Sequence, residues 1–170
     1  MNLSKKLAKQ AKTFDICQEW HDELKTLKDK AAMIKMYLKG IDFCLSNDYP
    51  NNEFIRANFK GVMEEYGVFL DDSIDLVNAE KCVALGNTVG TIEINEFATS
   101  EIFIKHNSEL TIIAKNNAFV VVDLFDNATV HVQAHDTAKV CVNRYGDSTV
   151  EHQNVGGGVV KIIDKHKKTY

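Results

Sequence analysis

Between Asn116 and Val150 the chain repeats a ten-residue pattern: a polar turn-forming pair, a small residue, then two β-branched residues separated by one position. The copies read NNAFVVVDLF, DNATVHVQAH and DTAKVCVNRY, followed by the less complete GDSTVEHQ. Ala128, Val130 and Val132 alternate with Thr129 and His131, which puts one set on a buried strand face and the other in solvent. The pattern predicts strands of about five residues. They are joined by bends at Asp126-Asn127, Asp136-Thr137 and Gly146-Asp147, residue types that suit turns.

Looser copies precede the clear ones, at Gly90 to Ile94, Ser100 to Ile104 and Ser108 to Ile112. Taking the first apolar residue of each pair, the anchors are Ile92, Ile102, Leu110, Val120, Val130, Val140 and Val150, so one repeat is read as two residues short. After Gly156-Gly157-Gly158, Val159, Val160, Ile162 and Ile163 supply a last strand.

A row of antiparallel hairpins gains nothing from holding one residue type at one position. Stacked coils do, because like residues then lie on like. A ten-residue unit is too short to enclose a filled interior, so two units are assigned to each coil. The expectation is a single-stranded parallel β-helix, or β-solenoid, of about four coils over residues 79–165. The alternative is an antiparallel all-β meander. A stack of coils ends in open sheet edges, so a homo-oligomer is expected among the partners.

The first part of the chain has a helical period, giving an α-helical domain over 1–76 and an α+β chain overall. Leu3, Leu7 and Ala11 form one stripe among four lysines, expected to be a frayed first helix with a solvated basic face. From Ile16 to Leu45 the apolar positions include Trp20, Leu24, Leu27, Ala31, Ile34, Leu38 and Ile41, one or two helices with a break at Gly40. Asn51 or Asn52 caps a further helix through Phe59, and Met63 to Leu70 is read as another helical turn. Residues 166–170 form a basic tail.

Composition narrows the function. The 170 residues carry a formal net charge of −4, balanced between the halves, which argues against a nucleic-acid surface. No run reaches the ~18 apolar residues of a membrane span, and the first dozen residues lack an apolar signal core, so a cytoplasmic protein is expected. Cys17, Cys44, Cys82 and Cys141 form no CxxC pair and signal neither a disulfide framework nor a zinc site.

Candidate chemistry is sparse. No phosphate loop, dinucleotide fingerprint, nucleophile elbow or HExxH occurs, and the strand acids Glu93, Glu101, Asp123 and Glu151 are dispersed. No enzyme activity, cofactor or metal is expected. With coils of 20 residues, His131 sits over Glu151 while Cys141 lies on the other face. Phe125 and Tyr145 stack in the same way beside a bend, an aromatic ladder that either seals the coil or serves, with His135, as a binding platform.

The run NNAFVVVDLFDNATVHVQAHDTAKVCVNRYGDSTV resembles the alanine-valine-rich tandem repeats of small β-solenoid proteins found in bacterial genomes and their prophages. The helical segment GIDFCLSNDYPNNEFIRANFKG is similar to the N-terminal parts of such proteins. That resemblance implies no catalytic residue. The expected function is a non-enzymatic interaction or scaffold protein, binding a protein partner through the solenoid faces or the helical domain. The alternative is a carbohydrate-binding or carbohydrate-active β-helix protein using Phe125, His135 and Tyr145.

Overall fold

The structure, a computed structural model, describes residues 2–170. It divides into two compact units, one ending at Tyr66 and the other running from Gly67 to Thr169.

The first unit is helical: α1 (Leu3–Lys12), α2 (Gln18–Thr26), α3 (Lys30–Lys39), α4 (Ile41–Ser46), α5 (Asn52–Asn58) and a 3-10 turn at Met63–Tyr66. The starts of α3 and α5 are set by side chains that satisfy otherwise unpaired amides. The Asp29 carboxylate accepts from the Ala32 N–H at 2.7 Å to begin α3, and Asn51 accepts from the Phe54 N–H at 2.9 Å to begin α5. The periodic stretch from Ile16 is cut twice, at the extended Leu27 after α2 and at Gly40. Gly40 lies under the Trp20 ring, where an added Cβ would come within 2.3 Å of a ring carbon.

The first helix is packed rather than frayed. Leu7, Ala8 and Ala11 are buried, Lys5, Lys6, Lys9 and Lys12 remain in solvent, and the Tyr49 hydroxyl donates to the Leu7 carbonyl at 2.9 Å. The apolar stripe therefore does what an amphipathic face does in a folded unit: it faces the interior and leaves the charges outside.

The second unit is built from strands alone: β1 (Val68–Leu70), β2 (Ser73–Val77), β3 (Lys81–Leu85), β4 (Val89–Ile94), β5 (Thr99–Ile104), β6 (Glu109–Ala114), β7 (Phe119–Leu124), β8 (Thr129–Ala134), β9 (Lys139–Arg144), β10 (Thr149–Asn154) and β11 (Val159–Asp164). Each strand pairs in parallel with the strand two along the chain. The odd-numbered strands form one sheet, β1-β3-β5-β7-β9-β11, and the even-numbered strands the other, β10-β8-β6-β4-β2. This is a parallel β-solenoid of about five turns, with two ten-residue units per turn, and not an antiparallel meander.

Two details differ from the sequence reading. The solenoid begins earlier than residue 79, because Val68–Leu70 and Ser73–Val77 already pair with β3 and β4; a coil was hidden in a stretch read as helix and crossing. No repeat is short. Gly90 pairs with Leu110, and Ser100 with Val120, so the anchor position runs 90, 100, 110 and onward without a slip. The anchors look displaced because these two units place small residues where later units place leucine or valine. Gly90 is required by close approach: a Cβ there would sit 1.9 Å from the Ile74 carbonyl oxygen, at φ +144°. Ser100 instead turns its hydroxyl to the Ala79 carbonyl at 2.6 Å.

Between the sheets lies a dry core of stacked aliphatics, including Ile92, Ile94, Ile102, Ile104, Leu110, Ile112, Val120, Val130 and Val140. Each such side chain contributes on the order of 1.5–3 kcal/mol relative to exposure. This interior is what fixes register, since a one-residue slip would turn every valine outward.

Candidate interaction surfaces

The bends repeat as faithfully as the strands. In each, the first bend residue is left-handed: Glu96, Asn116 and Asp136 on one edge have φ of 55°, 55° and 57°, and His106 and Asp126 on the other have 62° and 55°. Asn and Asp tolerate that region and can bond neighbouring backbone, which explains their recurrence here. The side chains of Asn116, Asp136, Asp126 and His106 each reach the coil before. The Glu96 N–H donates to Asn116 Oδ1 at 3.2 Å, the Asn116 N–H to Asp136 Oδ2 at 2.9 Å, and the His106 N–H to Asp126 Oδ2 at 3.2 Å. The Gly86 N–H donates to Nδ1 of His106 at 3.0 Å, so that nitrogen is the acceptor.

Phe125 and Tyr145 occupy successive bends on one edge and are both buried, with ring centroids 4.8 Å apart and planes 17° from parallel. Lys105, one coil earlier, is buried beneath them, its ammonium 5.6 Å from the Phe125 ring centre and 3.1 Å from the Asp126 carboxylate. His135 lies on the β8–β9 bend, at the opposite edge, with Nε2 3.4 Å from Gln133 Oε1. The structure therefore does not gather Phe125, His135 and Tyr145 into one platform. Consecutive bends alternate between edges, so residues ten apart are separated by the width of the sheets, while residues twenty apart touch.

Two outward faces remain. On the even-numbered sheet, Thr111, His131 and Glu151 form one row, and Glu109, Thr129 and Thr149 the next. His131 spans both: its Nδ1 lies 2.9 Å from Glu151 Oε2 and its Nε2 2.8 Å from Glu109 Oε1. The bond to Glu109 raises the imidazole pKa above its ordinary value; burial opposes it, and the bond to Glu151 adds to the rise. Cys141 belongs to the other sheet, paired with Val121 and Lys161. The Glu109 contact was missed in the sequence because it follows a diagonal, twenty-two residues, rather than the coil spacing.

On the odd-numbered sheet the outward rows read Phe119, Lys139, Val159 and Val121, Cys141, Lys161. Phe119 and Val159 are large apolar residues left 47% and 49% exposed, one on each side of a lysine. Polar ladders elsewhere on the coils pair like with complement, as in Asn143 donating to Asp123 at 2.7 Å and Arg144 to Asp164 at 2.9 Å. Among the described residues no helix is long and apolar enough to cross a membrane.

Comparison of the chain with protein-family models, with curated proteins and with solved structures finds no match, so its surfaces are read from their own geometry.

Proposed function

We propose that the chain is a non-enzymatic interaction or scaffold protein whose solenoid presents a flat face to a protein partner. The observation that carries this reading is the Phe119-Lys139-Val159 row, two exposed apolar residues set around a cation in one line of the odd-numbered sheet. Exposed apolar groups gathered on one face are the usual mark of a contact surface. The rigidity of the coil supports the same role, because rows fixed at strand spacing hold their side chains ready without an ordering cost on binding. The resemblance to prophage-borne solenoids fits such a role and adds no residue to it.

The test is co-purification of the full chain and of Phe119→Ser from its native cells, with circular dichroism to establish that both fold. A protein partner retained by the parent chain and lost with Phe119→Ser is expected. A partner held equally by both, or a hydrolytic or transfer activity that tracks the chain, would overturn the proposal.

A further inference from the structure

The solenoid closes on β10 and β11, and among the described residues no strand pairs with the far side of either. Both are full six-residue strands in unbroken register with the coil beneath, from Thr149 opposite Thr129 to Asn154 opposite Ala134 and from Val159 opposite Lys139 to Asp164 opposite Arg144. Strand edges left this way are commonly guarded by proline, a bulge, a covering segment or charged side chains; β10 and β11 carry charges, Glu151, Lys161 and Asp164. The only proline is Pro50 and neither strand is bulged. The residues that continue the core columns, Val150, Val160 and Ile162, lie half-buried or exposed at this end, whereas Val130 and Val140 one coil below are buried.

We infer that this end binds a second copy of the chain, the two terminal coils joining about a two-fold axis with β10 of each copy antiparallel to β11 of the other. Coil geometry selects the pairing. One turn of a solenoid climbs one strand spacing, ~4.8 Å, so β11 stands about half that height beyond β10. A two-fold that set β10 on β10 and β11 on β11 would leave the two gaps unequal by a whole strand spacing. The axis that crosses β10 with β11 makes both gaps the same.

Side-chain chemistry then selects the register. Sliding β10 antiparallel along β11 with inward residues kept inward, near-complete overlap sets Val150 opposite Ile162, Glu151 opposite Lys161 and His152 opposite Val160. The two aliphatics continue the interior columns, and the outward pair is a carboxylate facing an ammonium, repeated twice by the symmetry. Pairing each strand with itself leaves the two gaps unequal, and in the registers centred on Lys161 or on Glu151 it also sets like charges against one another. Cross-strand pairs of opposite charge are favourable and like pairs are not. His152 and Asn154 take inward positions held by Val132 and Ala134 one coil below. They solvate the end of the free chain, and the two-fold itself closes the contact at one pair of coils rather than an open fibre. This contact is separate from the outward face assigned to a partner protein and stands or falls on other residues.

Sedimentation equilibrium or light scattering on the full chain is expected to give twice the 19.1 kDa of one chain, dissociating on dilution. Glu151→Lys and Lys161→Glu each set like charges opposite one another and should weaken association by more than about tenfold. The double variant Glu151→Lys/Lys161→Glu restores opposite charges at both contacts and should regain the dimer. A mere loss of folding, or of the Glu151 contact to His131, would not be repaired by the second substitution. A strictly monomeric parent chain at high micromolar concentration, a mass that grows without a plateau at two, or a double variant that stays monomeric would overturn the inference.

Discussion

The rings of Phe125 and Tyr145 lie face to face, 4.8 Å between centroids, at equivalent bends of successive coils. Both are buried, so the stack is structural packing at a corner where the aliphatic core gives out. Truncating either ring leaves a hole that the rigid bends cannot collapse to fill. Tyr145→Ala is expected to cost about 3 kcal/mol in urea unfolding. A double-mutant cycle with Phe125→Ala should show a coupling of about 1 kcal/mol. Additive losses would mean that the rings pack independently.

Gly90 faces a different constraint. A methyl group there would collide with the backbone of Ile74, which cannot swing aside as a side chain can. Gly90→Ala should therefore lower stability by about 2 kcal/mol or more. Gly61, also at positive φ but with nothing within 4 Å of an added Cβ, should lose less on the same change. Equal losses in thermal unfolding would show that conformation, not contact, sets the cost.

His131 gives the even-numbered sheet a pH dependence with a definite sign. Its native pKa is raised by Glu109 and Glu151, so the charged form is the one that the fold favours. The added stability is fully present below the ordinary value of 6.5 and is lost as the pH rises through the higher native value. Melting curves of the parent chain and His131→Gln should lie furthest apart near pH 6 and converge toward alkaline pH. The gap stays small because both carboxylates are mostly in solvent. A gap that widened with rising pH would contradict the pairing.

Thiol chemistry separates three of the four cysteines. Cys17 is exposed, while burial pushes Cys82 up to about 12 and Cys44 higher still. Thiolate is the reactive form, so a thiol-specific reagent at pH 8 should label Cys17 promptly and reach Cys44 and Cys82 only on unfolding. Prompt labelling of Cys82 in the native chain would mean that the coil at β3 opens readily.

Where periodicity was clean, the chain announced its fold. Val120, Val130 and Val140 are ten apart, each is followed two residues later by another valine and turn residues lie between them, and those three signals agree only for stacked strands. The first coil was hidden because Val68–Leu70 is three residues long and its partners are fifteen residues away rather than twenty, so no repeat announces it. Gly90 and Ser100 were passed over because close backbone approach and a hydroxyl bond replace an aliphatic group, and neither leaves an apolar mark. At the surfaces, the placement of His131 over Glu151 followed from coil length alone. The separation of His135 from Phe125 and Tyr145 follows from the same length, once odd and even bends are assigned to opposite edges.

That alternation of odd and even units makes the molecule a two-sided tape. Inserting one ten-residue unit would leave every later valine inside and every bend intact, yet would transfer each later outward side chain to the opposite sheet. Inserting two would merely lengthen the tape by one strand spacing. Changes in length that are harmless to folding can thus either preserve or exchange the two faces, and between Phe119 and Val159 only multiples of a whole turn keep Phe119, Lys139 and Val159 in one line.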